Sequence, residues 1–587
     1  MWRWLRSLLI ALGGLTLLFF VAALVTFVTT RDRVPPDAVL TLDLERAIVE
    51  HIPPDPLARA LLGRHWELHT LVATLRRAAE DDRIHGLIAR VGDGDHGLAT
   101  VQEIRQAVQG FRASGKPAFV YAETMGELGP GNLGYYLATA FDRIYLQASG
   151  DVGLTGLIAE TPFLRGTLDR LGIEPRLDQR HEYKTAMNTL TETGYTEAHQ
   201  AADTALVADL FRVMVTEMAE ARGLQPEALA NLIDLGPLLG VEAVEAGLVD
   251  GLAFADEVYA ALFAAIEAEA IEADYALVDG QRYAALALEQ RRGSTPVALI
   301  HGSGAVVRGT SSFNPLVGAT MMGSDTLVTA FRAAIDDDAI RAILFRVDSP
   351  GGSYVASDTI WRMVHKAREA GKPVVISMGN TAASGGYYVA MNADRIIAQP
   401  GTLTGSIGVL GGKVLTRELW DRGLGVQWEA VTSSDNADMW TSTSDYSEHG
   451  WARTQAWLDR VYDDFTAKAA AGRGLPLEHV RLVARGRVWT GAQAKEHGLV
   501  DSLGGFDEAE RAIRELLELE PDAPLALRRF PEPLGWLEAL RRGEPSAVAS
   551  SAALAALEAL QPTLRKLHQA GILHRPGELE TVVPQIR

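Results

Sequence analysis

The spacing of hydrophobic and polar residues changes period repeatedly along the 587-residue chain. From Thr326 to Ala339 apolar residues return at helical spacing. The runs Ala342 to Val347 (AILFRV) and Pro373 to Met378 (PVVISM) are short, apolar and partly β-branched, as buried strands are. Strands alternating with helices predict parallel pairing and an α/β class. The first pattern along the chain is of another kind: Leu8 to Val28 is 21 residues without a charge. At about 1.5 Å per residue it spans the roughly 30 Å of a bilayer core, which predicts an N-terminal transmembrane helix and a membrane anchor over residues 1–33. A cleaved signal peptide would carry a shorter apolar stretch. Arg3, Arg6 and the amino terminus precede the stretch, and Arg31 and Arg33 follow it. This weakly favours an internal N-terminus and an extracytoplasmic body.

The pattern also occurs twice. TLVATLRRAAEDDRIHGLIARV from Thr70 returns as TLVTAFRAAIDDDAIRAILFRV from Thr326, and GKP at Gly115 returns at Gly371 with the same shift of 256. GYYLATAFDRIYLQ from Gly134 matches GYYVAMNADRIIAQ from Gly386, and GLVDGLAFADE at Gly247 parallels GLVDSLGGFDE at Gly498. A register held over so many positions marks an internal duplication. The expected organisation is an anchor (1–33), a first α/β domain (38–290), a homologous second domain (296–520) and a C-terminal helical tail (521–587). The Ala- and Leu-rich segment from Ser546 to Leu567 supplies the tail's helix.

A formal net charge of -20 and the lack of a basic stripe argue against nucleic-acid binding. With no cysteine there is no disulfide framework, thiol nucleophile or Cys-ligated metal site.

Chemistry is sought where the copies diverge. The second carries RVDSPGG (Arg346 to Gly352) after a strand, where the first has RVGDGDH. The second also carries TAASGGYYVA around Ser384, and the first has Asn132 at that place, in a longer loop. Ser384 is either a nucleophile on a tight turn or a small residue in a strand-to-helix connection. The first copy's GPGNLG fits G-x-G-x-x-G formally, but its counterpart lacks that pattern, so a dinucleotide site is not expected. A nucleophilic serine needs a base. No histidine lies between Ser384 and His449, and lysine is the alternative. The first copy offers Lys184 in HEYKTAMNTL, whereas the second has no lysine between Lys413 and Lys468. Each half thus holds what the other lacks, and Asn132→Ala is expected to be nearly silent.

RVDSPGG, AASGGYY, TLTGSIGV and YKTA, with the tandem halves and the apolar N-terminus, resemble the long form of the signal peptide peptidase A (protease IV) family. The resemblance runs from the anchor to about Glu520. It implies two tandem Clp protease/crotonase-like domains of the β-β-α spiral kind, and a Ser-Lys dyad with Ser384 as nucleophile and Lys184 as general base. It further implies an oxyanion hole from Gly351 or Gly352 with Gly385, and Ser406 as a hydroxyl that orients the lysine. Cleaved signal peptides and other apolar peptides are the implied substrates. A homotetramer, a bacterial inner-membrane location with the catalytic part outside the cytoplasm, membrane lipid around the helix and no cofactor are implied too. One departure is Glu182, a carboxylate two residues before Lys184 that is expected to raise the lysine's pKa. Two other readings stand beside this one: a non-catalytic membrane scaffold of the same fold, and an acyl-CoA enzyme of the crotonase kind, which the serine, the lysine and the anchor disfavour.

Overall fold

The computed structural model describes residues 33–54, 56–94, 96–267, 275–288, 294–314, 319–531 and 585–586. The expected membrane helix at Leu8 to Val28 and the tail helix from Ser546 to Leu567 lie outside them. Among the described residues no helix is long and apolar enough to cross a membrane.

In the first half the main strands are β1 (Ala38–Asp43), β2 (Ile84–Arg90), β3 (Ala118–Ala122), β4 (Arg143–Leu146), β5 (Glu174–Arg180), β6 (Gly251–Leu252) and β7 (Ala276–Asp279). The helices α1 (Leu68–Glu80), α2 (Leu98–Arg112) and α3 (Asn132–Ala138) run between them. Six strands form a parallel sheet in the order β6-β4-β3-β2-β1-β7. The second half repeats the plan with β8 (Thr295–Ser303), β9 (Ala342–Ser349), β10 (Val374–Ala383), β11 (Arg395–Ala398), β12 (Leu403–Gly405), β13 (Val409–Leu415), β14 (Val488–Thr490), β15 (Ser502–Leu503) and β16 (Leu525–Phe530). Its helices include α4 (Ser324–Asp336), α5 (Tyr354–Glu369), α6 (Gly385–Ala390) and α7 (Leu477–Val483). This sheet has eight strands in the order β14-β12-β10-β9-β8-β16, with β11 beside β10 and β15 beside β11.

The helical spacing read from the sequence has a packing cause. α1 buries Leu68, Leu71, Val72, Leu75 and Ala78, and α4 buries Leu327, Ala330, Phe331 and Ala334. Each is the apolar stripe of a helix laid on a sheet. The strands between are buried on both faces, which is why AILFRV reads as one continuous apolar run. One boundary needs correction. The tail expected from residue 521 does not begin as a helix, because Leu525–Phe530 forms edge strand β16, parallel to β8. β7 takes the same place beside β1 in the first half. An edge strand in a six-residue run carries too weak a pattern to stand out from a tail.

The halves share a core. Leu87 and Val120 of the first sheet belong to the same buried cluster as Leu299, Leu344 and Val375 of the second. Polar contacts fix the register of this packing. Fully buried Arg346 on β9 forms ion pairs with Glu50 at 2.7 Å and Glu103 at 3.0 Å, both from the first half. Beside them the Asn380 amide accepts from Thr100 N–H at 3.1 Å and donates to its hydroxyl at 2.8 Å, while Gly401 N–H donates to Gln102 Oε1 at 2.8 Å. Finally β5 of the first half pairs antiparallel with β13 of the second, from Glu174↔Leu415 to Arg180↔Val409. That ribbon delivers the chain to Lys184, four residues beyond β5.

Candidate active site

β10 ends at Ala383 and α6 begins at Gly385, so the chain must reverse at Ser384, which takes φ 54° and ψ -117°. A non-glycine residue there stores about 1–3 kcal/mol of strain unless its surroundings hold it. Two hydrogen bonds do so: Ser384 N–H donates to the Gly405 carbonyl at 2.9 Å, and its own carbonyl accepts from Tyr388 N–H at 2.8 Å. The turn lifts the side chain off the end of the sheet. The loop after β9 lies directly against it. A Cβ on Gly351, where φ is 109°, would come within 2.8 Å of Gly385 N and of Ser384 Cβ, so only glycine lets the two backbones approach this closely.

The neighbouring amides differ in what they have free. Gly351 N–H donates to the buried Ser349 hydroxyl at 3.2 Å. Gly352 N–H and Gly385 N–H have no acceptor among the described residues, and the Gly352 nitrogen lies 3.1 Å from where a Gly385 Cβ would be. Of the three glycines singled out in the sequence, Gly352 and Gly385 therefore keep donors available beside the serine.

Lys184 enters from the other half. It is 2% exposed, and its Nζ donates to Ser384 Oγ at 3.0 Å, Ser406 Oγ at 2.8 Å and the Ser406 carbonyl at 3.0 Å. Burial removes the ammonium from water and pushes its pKa down to about 7. The expected upward pull of Glu182 is not realised. That carboxylate turns away to Arg485 at 2.6 Å, and desolvation alone acts on the lysine.

Asn132 occupies the first half's equivalent turn, but with a different use. Its Oδ1 accepts from Thr155 N–H at 3.1 Å and Gly156 N–H at 3.2 Å, and its Nδ2 donates to the Gly156 carbonyl at 2.8 Å. Asn132 is itself buried while Thr155 is exposed and Gly156 half-buried, so the expectation of a nearly silent Asn132→Ala is kept for activity, with a modest cost in stability from the lost hydrogen bonds. Two glycines of GPGNLG pack against other backbone of the first half: a Cβ on Gly131 would lie 2.0 Å from the Met125 carbonyl oxygen, and one on Gly134 2.4 Å from that of Gly92. Histidines have a structural place as well. His51 and His301, both half-buried, stack 4.8 Å apart, and desolvation pushes His51 down to about 4. Among the described residues no group of three or more His, Cys, Asp or Glu side chains is arranged to hold a metal ion.

Sequence reasoning missed Ser349, which engages Gly351, and the Glu50–Arg346–Glu103 group that seats one half on the other. Ser349 sits inside the quoted RVDSPGG motif, so the signal was present. The two glutamates lie in ordinary helical and loop contexts and carried none.

The sequence profile of Peptidase family S49 matches residues 110–269 and 366–520. The chain is 32% identical over 462 residues to "Protease 4" of Salmonella typhi, covering 77% of this chain and 72% of that protein. It is 28% identical over 541 residues to "Serine protease SPPA, chloroplastic" of Arabidopsis thaliana, covering 90% and 77%. It is 30% identical over 467 residues to "Protease 4" of Haemophilus influenzae, covering 77% and 73%.

Proposed function

The chain belongs to peptidase family S49 and is a serine protease, and from that premise we propose that Ser384 is its nucleophile and Lys184 its general base. The observation that carries this reading is the 3.0 Å hydrogen bond between Lys184 Nζ and Ser384 Oγ, made by a lysine whose pKa burial lowers to about 7, so that a neutral amine is available near neutral pH. A neutral amine accepts the hydroxyl proton as Ser384 Oγ attacks a peptide carbonyl, and the ammonium then returns that proton to the departing amine. The acyl-enzyme is released by water activated through the same lysine. Ser406 Oγ orients Nζ towards Ser384. Gly352 N–H and Gly385 N–H serve the carbonyl oxygen as it gains charge, an interaction commonly worth about 3–4 kcal/mol per donor. Gly351 shapes that loop, its own N–H being engaged by Ser349.

Substrates in this reading are cleaved signal peptides and other apolar peptides. The uncharged stretch from Leu8 to Val28 holds the enzyme at a membrane, with the catalytic part on the extracytoplasmic side and lipid around the helix. The reading also includes a homo-oligomer, a tetramer by family likeness. Supporting it is the segment at the repeat position of β5, which carries Leu424, Val426, Trp428, Val431 and Trp440 exposed at 40% or more. Its first-half counterpart is paired with β13, whereas this copy belongs to no strand among the described residues and leaves a large apolar surface open.

A fluorophosphonate probe tests the core of the proposal. Wild-type protein is expected to be labelled on Ser384, and Ser384→Ala and Lys184→Ala to remain unlabelled while folding normally. Equal labelling of either variant contradicts the dyad, and a folded, assembled wild type that neither labels nor cleaves peptides supports the scaffold reading instead.

A further inference from the structure

Lys184 needs more than burial, because its Nζ must stay within hydrogen-bond reach of Ser384 although the two residues belong to different halves. The side-chain contacts of Nζ all go to the serine side of the site. What fixes the lysine's backbone lies elsewhere, in the turn between α7 and β14. There Arg485 and Gly486 take consecutive left-handed conformations, with φ 52° and 81°. Five non-glycine residues among those described have positive φ, and Ser384, Ser406 and Arg485 are three of them. All three surround this lysine, so the strain is concentrated at one place.

The turn is tied on both sides. Tyr183 N–H, one residue before the lysine, donates to the Arg485 carbonyl at 3.2 Å. On the other side Gly486 N–H donates to the Ile407 carbonyl at 2.8 Å, and Ser406 N–H donates to the Arg487 carbonyl at 2.7 Å. β14 then pairs with β12, the strand that leads into Ser406. Gly486 itself lies flat against the lysine's main chain. A Cβ there would stand 2.5 Å from Lys184 N, 2.5 Å from Lys184 Cβ and 2.6 Å from Lys184 Cα. Such contacts involve rigid atoms that cannot rotate away, so any side chain must push the lysine or open the turn.

We infer that Gly486, supported by Arg485, is a positioning residue that sets the reach of Lys184 to Ser384. The inference rests on the reading of Lys184 as general base. The charged groups near the lysine are few: Glu182 on its own segment is held by Arg485 of the α7–β14 turn, Arg487 of that turn lies over the Tyr183 ring, and the chain after β10 and after β12 brings the Ser384 and Ser406 hydroxyls. A displaced lysine meets more water, so its titration moves towards that of a free lysine.

The test measures kcat, KM and the pH profile of peptide hydrolysis for the full chain and for Gly486→Ala, Gly486→Asn, Gly474→Ala and Lys184→Ala. Gly474 has φ 63° at a helix end, and a Cβ added there would meet nothing within 4 Å, so it reports the backbone cost alone. Gly486→Ala is expected to lose about 100-fold in kcat with little change in KM, since misplacing a catalytic group by about 1 Å costs that much. Its activity midpoint should also move to higher pH. Asn tolerates left-handed backbone but carries a Cβ, so Gly486→Asn is expected to fail equally, while Gly474→Ala keeps wild-type kcat. The inference is overturned if Gly486→Ala stays within about threefold of wild type with an unchanged midpoint, or if Asn restores activity that Ala loses. Loss of cooperative unfolding in both Gly486 variants also overturns it, because the glycine would then serve folding rather than the lysine. If Lys184→Ala remains active, the base assignment fails whatever Gly486 does.

Discussion

The turns at Ser384 and Asn132 stand at equivalent places in two copies of one fold, and they solve the same structural problem in opposite ways. In the first half Asn132 closes the gap to the next strand with its own amide, bonding Thr155 and Gly156. In the second half Ser384 is too short to do so. The space goes to the amine of Lys184, which bonds Ser384 and Ser406 instead. The LTG sequence that precedes Leu157 in the first copy precedes Ser406 in the second, so the polar contact for the lysine exists in only one half. One copy uses the turn for stability. The other leaves it dependent on its neighbour, and that dependence is what allows a buried amine beside a hydroxyl.

The arginines Arg90 and Arg346, related by the same repeat, differ in a parallel way. Arg90 pairs with Glu45 and Glu123 of its own half and stays 36% exposed, whereas Arg346 is fully buried between glutamates from the other half. Equivalent positions therefore have unequal weight according to whether the other half completes them.

The largest effect that would break this contrast comes from the dyad. Ser384→Ala or Lys184→Ala should lower kcat by about 10⁴-fold or more, measured on folded protein, as removal of a nucleophile or its base does elsewhere. Next, Arg346→Ala should cost about 3–5 kcal/mol in denaturant unfolding, because it leaves two buried carboxylates without their partner. Arg90→Ala should cost about 0–1 kcal/mol, as exposed pairs do. Equal costs would remove the distinction between the two arginines. The lysine gives a third test through stability. Its pKa is about 7 when folded and about 10.4 when unfolded, so between these values the unfolded chain binds the extra proton and stability rises with pH. Lys184→Met removes a penalty of up to about 4 kcal/mol at pH 7, so the variant should melt above wild type there, and the difference should shrink towards pH 10. Smallest of all, Asn132→Ala should lower stability by about 0.5–1.5 kcal/mol through its lost hydrogen bonds to Thr155 and Gly156, whose amides can turn to water, with kcat unchanged in the folded fraction.

Much of this was legible in the sequence because the duplication provides its own reference. The repeat exposed the parallel α/β halves, and the positions where it fails pointed to Ser384 and Lys184. The glycines of RVDSPGG were legible as a group, but not which amide stays free, since that depends on Ser349 Oγ reaching Gly351 N–H. The lowered pKa of the lysine was only half visible. Glu182 sits two residues away along the chain, and nothing in the spacing says that Arg485, some three hundred residues on, draws it aside. Gly486 was invisible for the same reason: its role is a contact across the fold, and a glycine in a loop is ordinary in sequence.

The central claim is that a lysine from one half is the neutral base for a serine in the other. The most direct test is the pH dependence of kcat/KM for a fluorogenic peptide with an apolar residue before the scissile bond, from about pH 5 to about pH 10, a range that brackets both the folded and free lysine values. The account predicts activity that rises with a midpoint close to 7, levels off above it, and is absent from Lys184→Ala across the whole range. A midpoint near that of free lysine, or a Lys184→Ala variant with the wild-type profile, would contradict it.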